Sequence, residues 1–421
     1  MNLSAYCKKI RIIKTVILAG ALSIMFSVHS NGVFPRPHDI FFRPSVKKNS
    51  FMQFYTWNAF SVKSVTFDDN SPVSNVLWYQ NRTQDGLAML NGFSPGSEIG
   101  QKRAQLPVVD DGTRGHFSPE ANLYSPLNMS FGWRVFFSND ITFGVYLPLA
   151  SVELKDSKWE SLTQMNNAQD AQVNKVLVPN FVECVNKLGQ GLNLGNWKRL
   201  GVGNLELFVE YMRNFPQAKQ MLKNVLLDLR FGVALPTGLK GDYDKLVAFP
   251  FSYNGSTALV YGSGIEMLYG YFFIAGIDVE LIHIFGNTEQ RRIKTAENQT
   301  DLLLLEKNPA YIDWGMQQQF TLWLGMDKFY KNISFKFGYR LLKQGDSRLA
   351  LEAQPSSTEI ANTAMYLESW TLHDVLMKLS YEFTSDENPV SSSASIFARI
   401  PFEGKNSTAF QQVGLMAKLS F

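Results

Sequence analysis

The segment FQQVGLMAKLSF, at Phe410–Phe421, decides the fold of this chain. One set of alternate positions holds Val413, Leu415, Ala417, Leu419 and Phe421. The other set holds Gln412, Gly414, Lys418 and Ser420, with Met416 as its apolar member. Because successive side chains of a strand point to opposite sides, a period of two indicates a strand with one apolar face. A soluble sheet could also end in such a strand, so the rest of the chain has to distinguish a soluble sheet from a membrane-embedded one.

Alternation of this kind recurs along the chain. It predicts eleven further strands, at 51–64, 128–137, 141–147, 204–211, 224–235, 259–269, 273–285, 314–324, 333–341, 374–383 and 395–402. With the terminal strand, the count is about twelve, and bacterial single-chain barrels have an even number of strands. The predicted fold is all-β, a transmembrane antiparallel up-and-down β-barrel of about 12 strands.

The connections between these strands sort by length. Short turns are predicted near 139, 213–223, 270, 329 and 385–393. Long loops are predicted at 65–127, 151–202, 236–256, 286–312 and 344–368, with 403–409 as a short exception. Short turns at one end and long extracellular loops at the other are typical of outer-membrane barrels with periplasmic termini. A soluble β-sandwich has no reason to show this sorting.

The terminal strand and its aromatic residue resemble the closing strand of Gram-negative outer-membrane β-barrels. The resemblance implies a place in a lipid bilayer with lipopolysaccharide, and recognition of Phe421 by the barrel-assembly machinery. A second segment, FGVALPTG at Phe231–Gly238, resembles part of the long-chain fatty acid and aromatic hydrocarbon uptake transporters. Those transporters have a lumen plug, which the short N-terminal segment here does not match in length.

The N-terminus has the features of an export signal. Four basic residues precede an apolar run at 15–28, and Val28-His29-Ser30 fits a small-x-small cleavage pattern. We therefore predict a cleaved signal peptide at 1–30, a periplasmic segment at 31–50 and the barrel at 51–421. An uncleaved anchor is the alternative, although the run is short for a membrane-spanning helix. Cys7 precedes the apolar run, which argues against a lipid anchor.

Composition also supports a membrane β-barrel. Charged residues make up 18% and aromatic residues 13%, against roughly 25% charged in average proteins. Removal of the signal leaves 36 basic against 37 acidic residues, a net charge of −1, so the chain has no basic excess for binding nucleic acid. Cys184 is then the one remaining cysteine, so an internal disulfide is not expected.

The polar strand faces are predicted to line the lumen. They carry charges that we take as lumen-lining: Arg134, Glu206, Glu210, Asp228, Arg230, Glu266, Asp278, Glu280, Lys336, Arg340, Lys378, Arg399 and Lys418. Acidic residues dominate four consecutive strands and basic residues the later ones, which would place a transverse field across a wet lumen. Alternatively, the charges pair and fill a narrow barrel, since eight strands are just filled and sixteen leave a channel. Glycines at 232, 262, 264, 276 and 338 favour open space.

Two other features bear on the loops and the membrane boundary. Apolar residues at helical spacing in the 151–202 insertion, broken by Pro179, predict one or two short amphipathic helices. These form either an external loop with its own small core or a lumen plug. Aromatic girdles are expected at strand ends. The candidates for these girdles are Tyr211, Tyr269, Trp314 and Phe421.

Catalysis is not expected. The twelve-stranded outer-membrane phospholipase needs a His and a Ser two residues apart on one strand, whereas His283 is followed by Phe285 and His373 by Val375. No regular Cys/His spacing, phosphate loop or nucleophile elbow is present, so we expect neither a cofactor nor a metal. The predicted function is an outer-membrane channel or passive solute-uptake protein with a charge-lined lumen. The alternative is an anchor barrel with a closed lumen, whose long loops bind a partner.

Overall fold

A computed structural model describes residues 41–42, 51–61, 64–68, 71–73, 75–78, 81–138, 140–352, 357–383 and 390–421. The predicted signal peptide lies outside these residues, as does all of the 31–50 segment except Phe41 and Phe42. None of the helices in the described ranges is long and apolar enough to cross a membrane.

The described part of the chain is mostly strand. In chain order, its strands are β1 (Met52–Phe60), β2 (Ser64–Asp68), β3 (Ser71–Val73), β4 (Gln84–Asp85), β5 (His116–Phe136), β6 (Ile141–Ser161), β7 (Trp197–Val202), β8 (Glu206–Pro216), β9 (Leu222–Ala234), β10 (Ala258–Tyr269), β11 (Phe273–Ile284), β12 (Asn287–Ile293), β13 (Glu306–Asp313), β14 (Gln317–Tyr330), β15 (Ile333–Gln344), β16 (Arg348–Leu351), β17 (Trp370–Glu382), β18 (Ser391–Lys405), β19 (Ser407–Phe410) and β20 (Gln412–Ser420). Its α-helices are α1 (Glu98–Ala104), α2 (Ala168–Val176), α3 (Phe181–Leu188) and α4 (Thr358–Ala361).

Twelve of these strands form one closed antiparallel barrel, in the order β1, β5, β6, β8, β9, β10, β11, β14, β15, β17, β18 and β20. Closure is made by β1, which pairs with β5 on one side and with β20 on the other. The closing register runs from Gln53 opposite Ser420 to Phe60 opposite Val413. Each of the twelve predicted segments corresponds to one of these strands, so the predicted fold class is confirmed.

The β5–β6 hairpin is longer than the sequence predicted. Both strands have 21 residues and continue beyond the barrel, where β4 and β7 add to their edges. The prediction that 65–127 and 151–202 are entirely connection is therefore wrong at 116–127 and 151–161. Pro119, Pro126 and two register shifts in β5 interrupt the alternation there, which conceals the strand from a period-two search.

The long loops pack together as a cap over one end of the barrel. In the cap, β12, β13 and β16 form one small sheet and β19, β2 and β3 another. Helices α2 and α3, which lie in the insertion predicted as helical, contribute Val173 and Val185 to a hydrophobic core shared with the β5–β6 extension and the 246–251 and 302–305 loops. Phe117 stacks on Phe181 with ring centroids 3.6 Å apart. The helices thus belong to the cap, which favours the external-loop alternative over the lumen plug.

The outer barrel wall is apolar and exposed. In β20, Val413, Leu415 and Leu419 point outward, whereas Gly414, Met416 and Lys418 are on the inner face. Other strands show the same division, with an exposed band of large apolar side chains: Phe54, Phe131, Trp133, Val209, Leu229, Phe231, Tyr261, Leu281, Leu322, Leu324, Phe337, Leu379 and Ile396. An outward apolar band of this kind is the lipid-facing surface of a transmembrane barrel. The closed sheet suits that position, because it leaves no backbone groups unpaired in hydrocarbon.

The inner wall is packed through pairs of a glycine and an aromatic residue. In each pair the two residues lie directly opposite on neighbouring strands, and the ring lies over the glycine: Gly132 with Tyr55, Gly144 with Phe208, Gly276 with Trp323 and Gly414 with Phe397. A Cβ at any of the four glycines would come within 2.2 Å of the ring. The inner glycines therefore accommodate large side chains, and the prediction that they keep the lumen open is wrong at Gly276.

Substitution of Gly144 by Ala should destabilise the folded barrel. The new Cβ would lie 2.2 Å from Phe208 Cζ, and overpacking of this kind costs about 1–3 kcal/mol. Urea unfolding in lipid vesicles, followed by tryptophan fluorescence, measures the change. The variant G96A is the control, since nothing lies within 4 Å of a Cβ at Gly96. The double variant G144A/F208L should recover much of the lost stability, and equal stability of G144A and wild type would contradict this packing.

Candidate functional site

The thirteen predicted lumen residues all lie on the barrel strands, with their side chains turned away from the lipid-facing surface. Eleven of them are buried, and Glu266 and Lys336 are half-buried. The predicted separation into an acidic and a basic wall stays a prediction. Carboxylates and cations on the same or nearby strands lie within ion-pair distance of each other.

Two separate ion-pair groups lie on the inner wall between β5 and β11. Arg134 Nη2 donates to Glu210 Oε1 at 3.1 Å, and both side chains are fully buried. Arg230 pairs with Asp228 at 2.6 Å and with Asp278 at 2.8 Å. Because burial of an unpaired charge is costly, removing one partner of such a pair would destabilise the barrel by leaving the other charge uncompensated.

A third group joins β15, β17 and β18. Asp374 Oδ2 accepts from Arg340 Nη2 at 2.6 Å and from Arg399 Nε at 2.9 Å. Nearer the short-turn end, Lys336 Nζ lies 2.5 Å from Glu266 Oε2, which also accepts from Trp323 Nε1 at 2.9 Å. The alternative in which charges pair and fill a narrow barrel is the one that these contacts favour.

Phe41 and Phe42 lie inside the barrel and are completely buried. They belong to a lumen aromatic cluster formed with Trp57, Trp323 and Phe397. Phe42 meets Phe397 edge to face at 5.6 Å, and Phe41 meets Trp323 at 6.4 Å. Lys378 Nζ donates to the Phe42 carbonyl at 3.0 Å. The assignment of 31–50 to the periplasm is therefore wrong for these two residues, which narrow the lumen from within.

A cavity of about 330 Å³ lies between the cap and the mouth of the barrel. Its floor includes residues at the cap-side ends of barrel strands, and its roof comes from the cap loops. The lining is mainly apolar and aromatic, with Tyr146, Leu246, Ala248, Phe249, Tyr253, Trp314, Tyr366 and Trp370 among its residues. Pockets of this size and character are typical of sites for small organic molecules.

The lining also includes seven charged residues: Glu206, Asp242, Lys245, Arg291, Arg292, Asp301 and Glu368. The Arg291 guanidinium lies over the rings of Tyr243 and Trp314, at 5.0 and 5.4 Å from their centroids, and donates to the Tyr243 hydroxyl. The Tyr253 hydroxyl donates to Glu206 Oε1 at 3.3 Å. Trp314 therefore belongs to the cavity, and the prediction that it lies in a barrel strand and a membrane girdle is wrong, since β14 begins at Gln317.

Two charged groups of the cavity wall have shifted pKa values. Burial lowers the pKa of Arg292, which nonetheless pairs with Asp244 at 2.6 Å. Burial raises the pKa of Asp301 from 3.8 to about 6, against the opposing effect of Lys294 at 3.8 Å. Asp301 Oδ1 accepts from the Met365 backbone N–H at 3.0 Å, so this carboxyl joins two cap loops.

Some of these residues could have been found from sequence parity. Trp323 has the parity of Gln317, Gln319 and Thr321, and Phe397 has that of Ser395 and Arg399, which places both rings on the inner face. The cap cavity had no such signal, because its lining comes from loops distant in sequence. Phe41 and Phe42 also lacked one, since the position of a short segment inside a barrel has no periodic pattern.

Comparison with known proteins gives structural likenesses alone. No family model matches the chain, and no curated protein matches it. An outer-membrane channel from Pseudomonas putida F1 is 11% identical with a TM-score of 0.49, over 92% of this chain and 100% of its own. The monoaromatic hydrocarbon channel CymD is 11% identical with a TM-score of 0.31, over 88% and 89%. A Pseudomonas aeruginosa FadL homologue is 9% identical with a TM-score of 0.29, over 88% and 90%.

The chain has the fold of an outer-membrane-type transmembrane β-barrel. Its closed twelve-strand pairing and apolar outer band carry that assignment, since each of the three TM-scores is below 0.5.

Lowering the pH from 7.5 to 5 should stabilise the junction between the 294–303 and 363–368 loops. Because the pKa of Asp301 is higher in the folded state, the free energy of unfolding rises as the pH falls from about 6 towards 3.8. The total gain is on the order of 2–3 kcal/mol. The variant D301N keeps the oxygen that accepts from Met365 and should lose this dependence. Hydrogen exchange of the two loops measures it, with D313N, an exposed aspartate, as the control. If hydrogen exchange of the two loops depended on pH in D301N as it does in wild type, Asp301 would not be the titrating group.

Proposed function

We propose that this protein sits in the outer membrane of a Gram-negative bacterium, reached through a cleaved signal peptide, and takes up a small, largely apolar solute passively. The cap faces the outside and both termini face the periplasm, as the sorting of loops in such barrels implies. The barrel-assembly machinery would recognise Phe421 at the end of the last strand. The observation that carries the proposal is the aromatic cavity at the mouth of a barrel whose lumen is packed.

The packed lumen argues against a general diffusion pore. Hydrophilic solutes need a continuous wet path, whereas here buried ion pairs and the lumen aromatic cluster occupy the cross-section. An apolar solute needs instead a dry binding site and a removable obstruction. Phe41 and Phe42 fit the second requirement, because among the described residues they reach the lumen from outside the barrel strands.

Cap and cavity form a selective entrance in this proposal. Apolar surface buried in the cavity contributes about 25 cal/mol per Å², so a ligand with one aromatic ring is favoured over a sugar of equal size. Among the polar groups of the lining, Arg291 and the hydroxyls of Tyr243 and Tyr253 would orient a ligand that carries one polar substituent. In this proposal, the charged residues of the inner wall pair with one another between strands, and they also line the path that the solute takes through the lumen.

An anchor barrel is the second candidate, and the same packed lumen favours it. In that case the cap would be the working surface and no solute would cross. The two candidates differ in whether the cavity binds a small molecule and whether the lumen opens when its obstruction is removed.

Replacing both Phe41 and Phe42 by Ala should increase single-channel conductance severalfold in planar bilayers. The double variant removes two rings from the lumen aromatic cluster and lets water reach Lys378. The control is F54A/F131A, which removes two rings from the lipid-facing surface. Conductance that stays at the wild-type level, from protein shown to be folded, would favour the anchor barrel.

Filling the cavity should abolish solute binding. Ala248 is buried in the cavity lining, and A248F would occupy part of the 330 Å³. Benzyl alcohol should quench the fluorescence of wild type saturably, through Trp314 and Trp370, and should lose at least tenfold in affinity for A248F. The variant V182F adds the same ring on the exposed face of α3 and should bind as wild type does. Equal binding to A248F and wild type would contradict the cavity as the site.

A further inference from the structure

Three potential metal-ligating side chains meet in the cap, away from the cavity. Asp85 is in β4, His116 begins β5, and Asp110 precedes the turn that leads into β5. His116 Nε2 lies 3.1 Å from Asp110 Oδ1 and 3.8 Å from Asp85 Oδ2. The three ligand atoms all lie within 4.8 Å of one another, so they can face one point.

Local structure holds each ligand in place. Asp85 and His116 are direct partners in the β4–β5 ladder. Asp85 Oδ1 accepts from the backbone N–H groups of Leu87 and Ala88, each at 2.8 Å, which leaves Oδ2 directed at the imidazole. Asp110 Oδ1 accepts from the Gly112 N–H at 2.8 Å and so keeps its carboxylate beside His116. Supporting contacts of this kind orient metal ligands in known sites.

We propose that Asp85, Asp110 and His116 bind one divalent transition-metal ion of the zinc class. Tetrahedral coordination at bond lengths of about 2.0–2.1 Å separates two ligand atoms by about 3.4 Å. The observed 3.1 and 3.8 Å fall on either side of that separation. One imidazole with two carboxylates suits zinc, nickel or copper, whereas calcium and magnesium prefer oxygen ligands alone.

The surroundings of the cluster supply the second argument. Asp85 is buried, with 7% of its surface exposed, and its Oδ2 lies 3.8 Å from His116 Nε2. Asp110 is half exposed, which gives the ion an entry path and leaves a position for water.

A metal here would connect parts of the cap that the barrel does not fix. The ligands tie the segment after β3 to the first residue of β5, where Arg114 also pairs with Asp170 of α2 at 2.7 Å. The ion would thus hold the long 61–115 connection against the β5–β6 extension. This role is structural and does not depend on the proposed uptake function.

The test is zinc binding by the purified, folded protein in detergent, after treatment with EDTA and dialysis. Titration against a chromogenic chelator at pH 7.5 should show one zinc per chain. Both H116A and D85N should bind roughly 100-fold more weakly, by loss of one ligand. D85N keeps the oxygen that accepts from Leu87 and Ala88, so its local fold is preserved. Calcium should not compete.

The control is H283A, which removes a histidine on the outer barrel wall. Heat-modifiable gel migration verifies that every variant is a folded barrel. Hydrogen exchange of 108–118 should slow with zinc in wild type and remain unchanged in D85N. No stoichiometric zinc in wild type would overturn the proposal. Equal affinity in H116A, or loss of binding in H283A, would also overturn it.

Discussion

The pairing of β1 with β20 is the contact on which the rest of the structure depends. Until these strands meet, the sheet has two open edges, and hydrocarbon has no water to satisfy their backbone groups. Closure also determines which residues face each other across the lumen, because it fixes the register between Gln53–Ser420 and Phe60–Val413. A slip of one residue would turn Lys418 to lipid and Leu419 to the interior.

Inside the closed barrel, side chains on neighbouring strands match each other in size and in charge. A glycine on one strand makes room for a ring on the next, and Asp374 on β17 pairs with Arg340 on the neighbouring β15. Twelve strands enclose more space than side chains alone fill in an eight-stranded barrel. Here the additional space is taken by arginine, tryptophan and phenylalanine side chains and by Phe41 and Phe42. The described side chains among these are buried, as residues of a protein core are.

The sequence was sufficient for the barrel and insufficient for the cap. Alternation identified all twelve strands because lipid on one side and protein on the other impose a period of two, as in β20. In the β5–β6 extension, prolines and register shifts interrupt the pattern, so it is weak. Charges were placed on the correct face, but their pairing depends on register across strands, which composition does not encode. The cluster of Asp85, Asp110 and His116 depends on the β4–β5 pairing and has no regular spacing.

The position of Phe41 and Phe42 has a consequence for the order of folding. Their neighbours Trp57, Trp323 and Phe397 come from β1, β14 and β18, which are brought together only when the sheet has closed. Contacts between such distant parts of a chain form late, because loop closure costs entropy before any contact is gained. The residues that narrow the lumen would therefore enter it last. Folding of this barrel would then end with a slow docking phase that follows membrane insertion.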